Sequence, residues 1–186
     1  MHIAPSTPED LARIRELFGE AMAYQKKKFG KHWQGLNEEA LRVEIGEKLH
    51  WKILERDEID EADGFAKEDE IAAFFSIAFS DALVWDERDS DPAIYLHRIV
   101  TNPAFRGRGY VPRITDWAKA HGAARGKKFV RLDTDKDNAK LNAYYQECGY
   151  RYRAVKVFRD KNDSRVPLHY FGAGLSLFEI EIPEIG

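Results

Sequence analysis

Apolar residues recur along this chain with two different periods, and the switches between them mark out helices and strands. Leu11, Ile14, Phe18, Ala21 and Met22 keep helical spacing behind Thr7-Pro8-Glu9-Asp10, which supplies an N-cap, a proline for the first turn and acids for the positive end of the dipole. Asn37 caps a second predicted helix that carries Leu41, Ile45 and Leu49 on one side. Trp51 to Leu54 and Ile71 to Phe79 read as paired strands joined by the acid-rich stretch Glu55 to Glu70, whose few apolar residues suit a solvated hairpin loop. Attraction of a cationic substrate is the less favoured reading of that stretch.

The second half has a stricter rhythm. Ile94 to Thr101 predicts a strand stopped by Asn102-Pro103, and a helix follows with Ile114, Trp117, Ala118 and His121 on one face, ending at Gly126. Phe129 to Thr134 predicts a strand, Ala139 to Cys148 a helix closed by Gly149, and Tyr152 to Phe158 and Leu175 to Ile182 two more strands. In the last of these, Phe178, Ile180 and Ile182 alternate with Glu179 and Glu181. Strands interleaved with helical crossovers predict an α/β layered domain with a mixed sheet. Without a repeat or a linker in view, the simplest expectation is a single domain over residues 1–186.

Composition narrows the function classes. The 186 residues carry 29 lysines and arginines against 32 acids, a net charge of -3, which gives no reason to expect nucleic acid as a partner. No run of about eighteen apolar residues and no export signal is present, so the expectation is a protein without a membrane partner, in the cytoplasm. The single cysteine, Cys148, excludes an internal disulfide and fits a reducing compartment. It falls on the apolar side of its helix, where a packing role is favoured. The six histidines are scattered, with no H-x-x-x-H pair, so no metal is expected.

The residues with the clearest chemistry are Phe105-Arg106-Gly107-Arg108-Gly109-Tyr110-Val111. Two glycines let backbone N–H groups approach an anion, two arginines add charge, and Pro112 fits the first turn of a helix whose positive end faces the same spot. A pyrophosphate is the natural occupant, although solvated surface charge is the plain alternative for Arg106 and Arg108. A Walker loop is excluded because Gly126-Lys127-Lys128 lacks the required ending. A dinucleotide fingerprint would need a small residue where Pro112 stands, although Asp133 sits where its ribose-binding acid would be.

From Leu96 to Tyr150 the chain resembles the GCN5-related N-acetyltransferases, on the strength of Arg106-Gly107-Arg108-Gly109-Tyr110-Val111 after a strand, then Asn138, Tyr145 and Gly149-Tyr150. Val111 departs from the family's usual glycine or alanine. The resemblance implies a mixed, mostly antiparallel sheet with helices on both faces and acetyl-CoA as co-substrate. It also implies that Ile99, Val100 and Thr101 pair with the pantetheine arm, that residues 106–111 bind the pyrophosphate through main-chain N–H groups, and that Asn138 faces the cofactor. Tyr145 would point its hydroxyl at the thioester sulfur, where a phenol near pKa 10 remains a proton donor. Tyr144, about 100° away on the same helix, could exchange roles with it, and Asn138 could serve only as an N-cap.

An alkylammonium of pKa about 10.4 cannot attack a carbonyl until it loses a proton. His97 lies where many relatives carry a glutamate facing the cleft. It is the first candidate for the base, with an imidazole satisfied by its surroundings, or a water relay, as the alternative. The resemblance therefore implies direct acetyl transfer to an amine of a small molecule or a peptide. A non-catalytic acyl-CoA-binding or sensing module is the competing class. In relatives the segments Tyr24 to Glu55 and Leu168 to Phe178 shape the acceptor pocket. Trp33, Trp51 and Trp85 would line it or fill the core, and Lys26-Lys27-Lys28 caps a helix dipole or meets the acceptor. Relatives are often dimers, so the C-terminal strand serves either a homodimer interface or the sheet.

Overall fold

A computed structural model describes residues 1–29, 35–55, 69–159, 166 and 174–183. Lys31, His32, Trp33, most of the acid-rich stretch and residues 168–173 lie outside the described residues. Seven strands run in the order β1-β2-β3-β4-β5-β7-β6, and the chain packs as two compact units that change over after Ile77, after His97 and after Tyr110.

The first unit, Met1–Ile77 with Arg98–Tyr110, holds β1 (His2–Pro5), α1 (Leu11–Phe29), α2 (Glu38–Gly46), β2 (His50–Glu55), β3 (Glu70–Ala78) and the end of β4 (Ala93–Thr101). Strands β1, β2 and β3 pair antiparallel, with Ile3 opposite Ile53 and Ile53 opposite Ala73. The two helices come from capped, amphipathic segments: Asn37 Oδ1 accepts the Ala40 N–H at 3.0 Å, and the Thr7 N–H donates to Asp10 Oδ2 at 2.7 Å. Their apolar sides meet β3 and β4 in one core of Ile14, Leu17, Phe18, Leu41, Ile45, Ile71, Phe74 and Val100. The pattern of the sequence does not reveal β1, because four residues ending in a proline are too short to show alternation.

The second unit, Ala78–His97 with Val111–Gly186, holds α3 (Ala82–Trp85), the start of β4, α4 (Tyr110–Ala123) from Val111 on, β5 (Phe129–Asp135), α5 (Ala139–Glu147), β6 (Arg151–Val157) and β7 (Gly174–Glu181). Strands β4 and β5 are parallel from Ala93 opposite Phe129 to Leu96 opposite Leu132, where their ladder ends. Strand β5 continues to Asp135 along antiparallel β7, and β7 pairs with β6 on its other edge. Paired on both edges, β7 completes the sheet and offers no free edge to a second copy.

Alternation then sorts the side chains of this unit onto two faces. On one face α4 lies so close that a Cβ on Gly122 would meet Ile94 at 3.2 Å and Ile182 at 2.7 Å, and Tyr145 of α5 packs on Phe178 at 5.7 Å. On the other, Val84 and Trp85 of α3 pack with Tyr95, Leu175 and Leu177. With both faces covered, even Glu179 is only 3% exposed; it accepts hydrogen bonds from Arg131 Nε at 2.7 Å and Arg153 Nη2 at 2.6 Å.

Candidate active site

In the first unit, Asn102 ends β4 and sets up the glycine turn. Its Nδ2 donates to Ile71 O at 3.0 Å, its backbone N–H to Ala72 O at 2.9 Å, and its Oδ1 accepts the Ala104 N–H at 3.0 Å. Gly107 and Gly109 then take φ of 82° and 69°, the left-handed region that a side chain penalises by about 1–2 kcal/mol. Among the described residues neither glycine N–H meets an acceptor. The arginines are less available than their charge suggests. Arg106 stacks on the Tyr24 ring at 4.4 Å. Arg108 stacks on Phe105 at 4.7 Å and pairs with Glu55 at 3.2 Å, whose carboxylate also accepts from the Tyr110 hydroxyl. The backbone, more than the guanidinium groups, is what the turn presents to an anion. Ile99 and Thr101 are half-buried, and Val100 is in the core.

One residue of β4 departs from extended geometry. Arg98 takes φ 49°, uncommon for a long side chain. Its guanidinium bonds Glu44 and Ser76 Oγ at 2.9 Å, which holds the residue in place.

In the second unit, helix α4 opens at buried Val111, whose carbonyl accepts from Thr115 Oγ1 at 2.8 Å, and Thr115 shares a hydrogen bond of 2.9 Å with the Tyr150 hydroxyl. Asn138 is the N-cap of α5: its Oδ1 accepts the Leu141 N–H at 3.1 Å. Tyr145 is 7% exposed, with its ring held by Phe178 and by Tyr150 at 6.0 Å. Its hydroxyl makes no hydrogen bond among the described residues. Burial, then the Tyr150 and Asp133 charges, push its pKa above the ordinary phenol range, so it stays protonated. Tyr144 is instead engaged with Cys148 of its own helix, and its pKa rises to about 12, mainly through burial. The two tyrosines thus separate: Tyr144 uses its hydroxyl locally, while the Tyr145 hydroxyl meets no partner among the described residues.

The same unit brings together a trio that the sequence does not reveal. Asp81 just before α3, His97 on β4 and Asp133 on β5 place one donor atom each within 4.8 Å of one another, with His97 Nε2 3.7 Å from Asp81 Oδ2. Asp81 Oδ2 is buried and has no hydrogen-bond partner among the described residues. Burial raises the Asp81 pKa to about 6, against the Val84 N–H that holds it down, with the Asp89 charge adding to the rise. Burial, then the Asp81 charge, raises Asp133 to about 7. The absence of any short His or Cys spacing in the sequence said nothing about such a cluster, because its members come from three separate elements.

The sequence also matches the model of the Acetyltransferase (GNAT) family over residues 21–150, well over half of the chain. The chain belongs to the GNAT family. It is 25% identical over 155 residues to the uncharacterized N-acetyltransferase YesJ of Bacillus subtilis, covering 81% of this chain and 82% of that protein. It is also 25% identical over 135 residues to the aminoglycoside N(6')-acetyltransferase type 1 of Salmonella enteritidis, covering 70% and 91%. Among solved structures, a GNAT-family acetyltransferase from Listeria monocytogenes superposes with a TM-score of 0.71 at 20% identity over 97% of this chain and 94% of that one. The Salmonella typhimurium protein yncA, solved with its cofactor acetyl-CoA, gives 0.63 at 12% identity over 100% and 96%. The fold is the GNAT fold, with one mixed sheet and helices, as the resemblance implied.

Within this GNAT chain the residues singled out from sequence fall into two sets, one on each unit. Ile99, Val100, Thr101 and Arg106 to Tyr110 belong to the first, and His97, Val111, Asn138 and Tyr145 to the second. Asp81 was passed over because nothing in the sequence around it marks a site. Asp133 drew notice only as a ribose-binding acid, a different chemistry from the one its neighbours give it. No helix among the described residues is long and apolar enough to cross a membrane.

Proposed function

We propose that the protein transfers the acetyl group of acetyl-CoA to an amine by direct attack, without a covalent enzyme intermediate. The observation that carries this reading is the pair of left-handed glycines ahead of α4, whose N–H groups meet no acceptor among the described residues, a backbone cradle suited to a diphosphate. Gly107 and Gly109 would bind it, with Arg106, Arg108, Tyr110 and Val111 flanking. Asn138 would stay an N-cap beside the cofactor, and the open backbone of Ile99 to Thr101 would take the pantetheine amides. Tyr145, protonated and with its hydroxyl unspent, would donate to the departing thiolate. His97 would assist loss of the amine proton.

The relatives point the same way: two are named N-acetyltransferases, one of them for an aminoglycoside, and yncA holds acetyl-CoA. The acceptor would be an amine of a small molecule or a peptide, with the cytoplasm as the site of action and residues 1–186 as one functional domain. Calorimetry with acetyl-CoA, followed by free-thiol release with spermidine, kanamycin and an alanine-initiated peptide, tests the proposal. Micromolar binding and turnover with at least one of them are expected. Binding without turnover across the panel would instead favour a non-catalytic acyl-CoA sensor. Tyr145→Phe should lower kcat about 10- to 100-fold while leaving acetyl-CoA affinity within about threefold, an outcome that a tyrosine serving only the core would not give.

A further inference from the structure

Arg98, in the first unit, stands where its own backbone works against it. Its φ of 49° lies on the left-handed side, which glycine enters freely and other residues avoid by roughly 5- to 30-fold. Its Nε is buried with no hydrogen-bond partner among the described residues, a second unfavourable feature. An arginine kept in spite of both marks a position where side chain and backbone act together.

The side chain supplies a restraint. Arg98 Nη2 donates to Glu44 of α2 and to Ser76 Oγ of β3 at 2.9 Å, and Ser76 Oγ donates in turn to Glu44 Oε2 at 3.0 Å. Three groups thus close a ring. The arginine and glutamate side chains are 31% and 22% exposed, so solvent screens the pair only in part. His50, opposite Ser76 on β2, adds no competing charge at neutral pH: burial, then the Arg98 charge, hold its pKa down to about 4.

What the restraint acts on lies directly downstream. Val100 packs in the core with Leu41 and Ile45 of α2, so Arg98 and Val100 are tied to the same helix. Asn102 fixes the far end through Ile71 O and Ala72 O. Between these anchors stand Ile99, Val100 and Thr101, whose main chain would meet the pantetheine arm. A left-handed residue within a strand re-aims the groups that follow it. We propose that Arg98 and Glu44 are positioning residues for the cofactor: by holding residue 98 left-handed, their clamp sets the directions of the N–H and C=O groups of Ile99 to Thr101. This rests on the acetyltransferase reading above and adds α2 to the elements that prepare the cofactor strand.

Neither side chain has to touch acetyl-CoA for this. Hydrogen bonds weaken steeply once their angle falls below about 120°, so a rotation at residue 98 is enough to lose the pantetheine contacts. The diphosphate, which Gly107 and Gly109 would hold beyond the Asn102 anchor, is left undisturbed.

The test compares two ligands on the full-length protein by calorimetry: acetyl-CoA, which carries the arm, and ADP, which carries a diphosphate without it. Arg98→Ala keeps the steric penalty and removes the clamp, so acetyl-CoA binding should weaken about 10-fold while ADP binding stays within about twofold. Arg98→Gly removes the penalty as well, and acetyl-CoA binding should recover to within about threefold of the wild type. Glu44→Ala leaves a good helix former in α2 and should weaken acetyl-CoA binding about 3- to 10-fold, again sparing ADP. Equal losses for both ligands, or a glycine variant no better than the alanine one, would overturn the proposal.

A second measurement needs no ligand. The N–H residual dipolar couplings of Ile99, Val100 and Thr101 report bond directions, and Glu44→Ala should change them while leaving those of β1 and β2 as they are. Unchanged couplings, in a protein that binds acetyl-CoA, defeat the clamp and leave the transferase reading standing. A wild-type protein that binds no acetyl-CoA defeats that reading, and the cofactor role of the clamp with it.

Discussion

Two polar clusters share one face of the sheet in the second unit and could hardly differ more. Arg131, 1% exposed, bonds Glu179 at 2.7 Å, Asp91 at 2.5 Å and the Tyr95 hydroxyl at 3.2 Å, and lies over the Trp85 ring at 4.6 Å. Arg153 closes the Glu179 side. Two residues further along β5, Asp133 joins Asp81 and His97, and among the described residues Asp81 Oδ2 meets no hydrogen-bond donor. A fully satisfied network fixes a fold, while an unsatisfied one stores unfavourable energy that a ligand can release. The contrast is the ground for proposing that the first cluster serves stability and the second function.

The sharpest way to break this division is Arg131→Met. It leaves Glu179 buried with only the half-exposed Arg153, and a loss of about 3–5 kcal/mol is expected, read by urea denaturation. A loss under 1 kcal/mol would remove the structural half of the contrast.

Asp133→Asn should do the opposite. The folded-state pKa of about 7 exceeds the unfolded value near 3.9, so between those pH values the folded protein binds the extra proton. The stability that this supplies is full below the lower value and lost as pH rises through the upper one. At pH 8 the wild-type carboxylate is ionised and destabilising, so the neutral amide should raise Tm by about 2–4 °C, on the order of 1 kcal/mol. At pH 5 the gain should be smaller, and it should vanish only below the unfolded value. A variant that is less stable at pH 8 would show Asp133 to be structural after all.

Arg153→Ala should give the smallest change. Its side chain is 30% exposed, and Glu179 retains Arg131, so a cost of about 1 kcal/mol or less is expected in the same denaturation assay.

How far these features could be read in advance depended on the range of the forces behind them. The caps at Asn37 and Asn138, the Gly149 stop and the strands at Ile71, Ile94, Phe129 and Leu175 are set by neighbours within a few residues, and all were legible. The glycine turn was legible for the same reason, since φ near 82° and 69° is a local demand that only glycine meets cheaply. Short β1 and α3 were not, because four residues carry too little periodicity. The burial of Glu179 was not legible, because its charge is compensated by Arg131 from β5 and Arg153 from β6, which are distant in sequence.

The amino-acid order by itself determined most of the helices and strands, the glycine turn and the family to which they belong, because periodicity, caps and left-handed glycines act over one or two turns of chain. Only the tertiary structure decided which tyrosine of the pair keeps its hydroxyl unspent, and that a loop aspartate, a strand histidine and a second strand's aspartate converge. Coulomb repulsion and desolvation depend on distance and burial through space, and neither can be read from spacing along the chain.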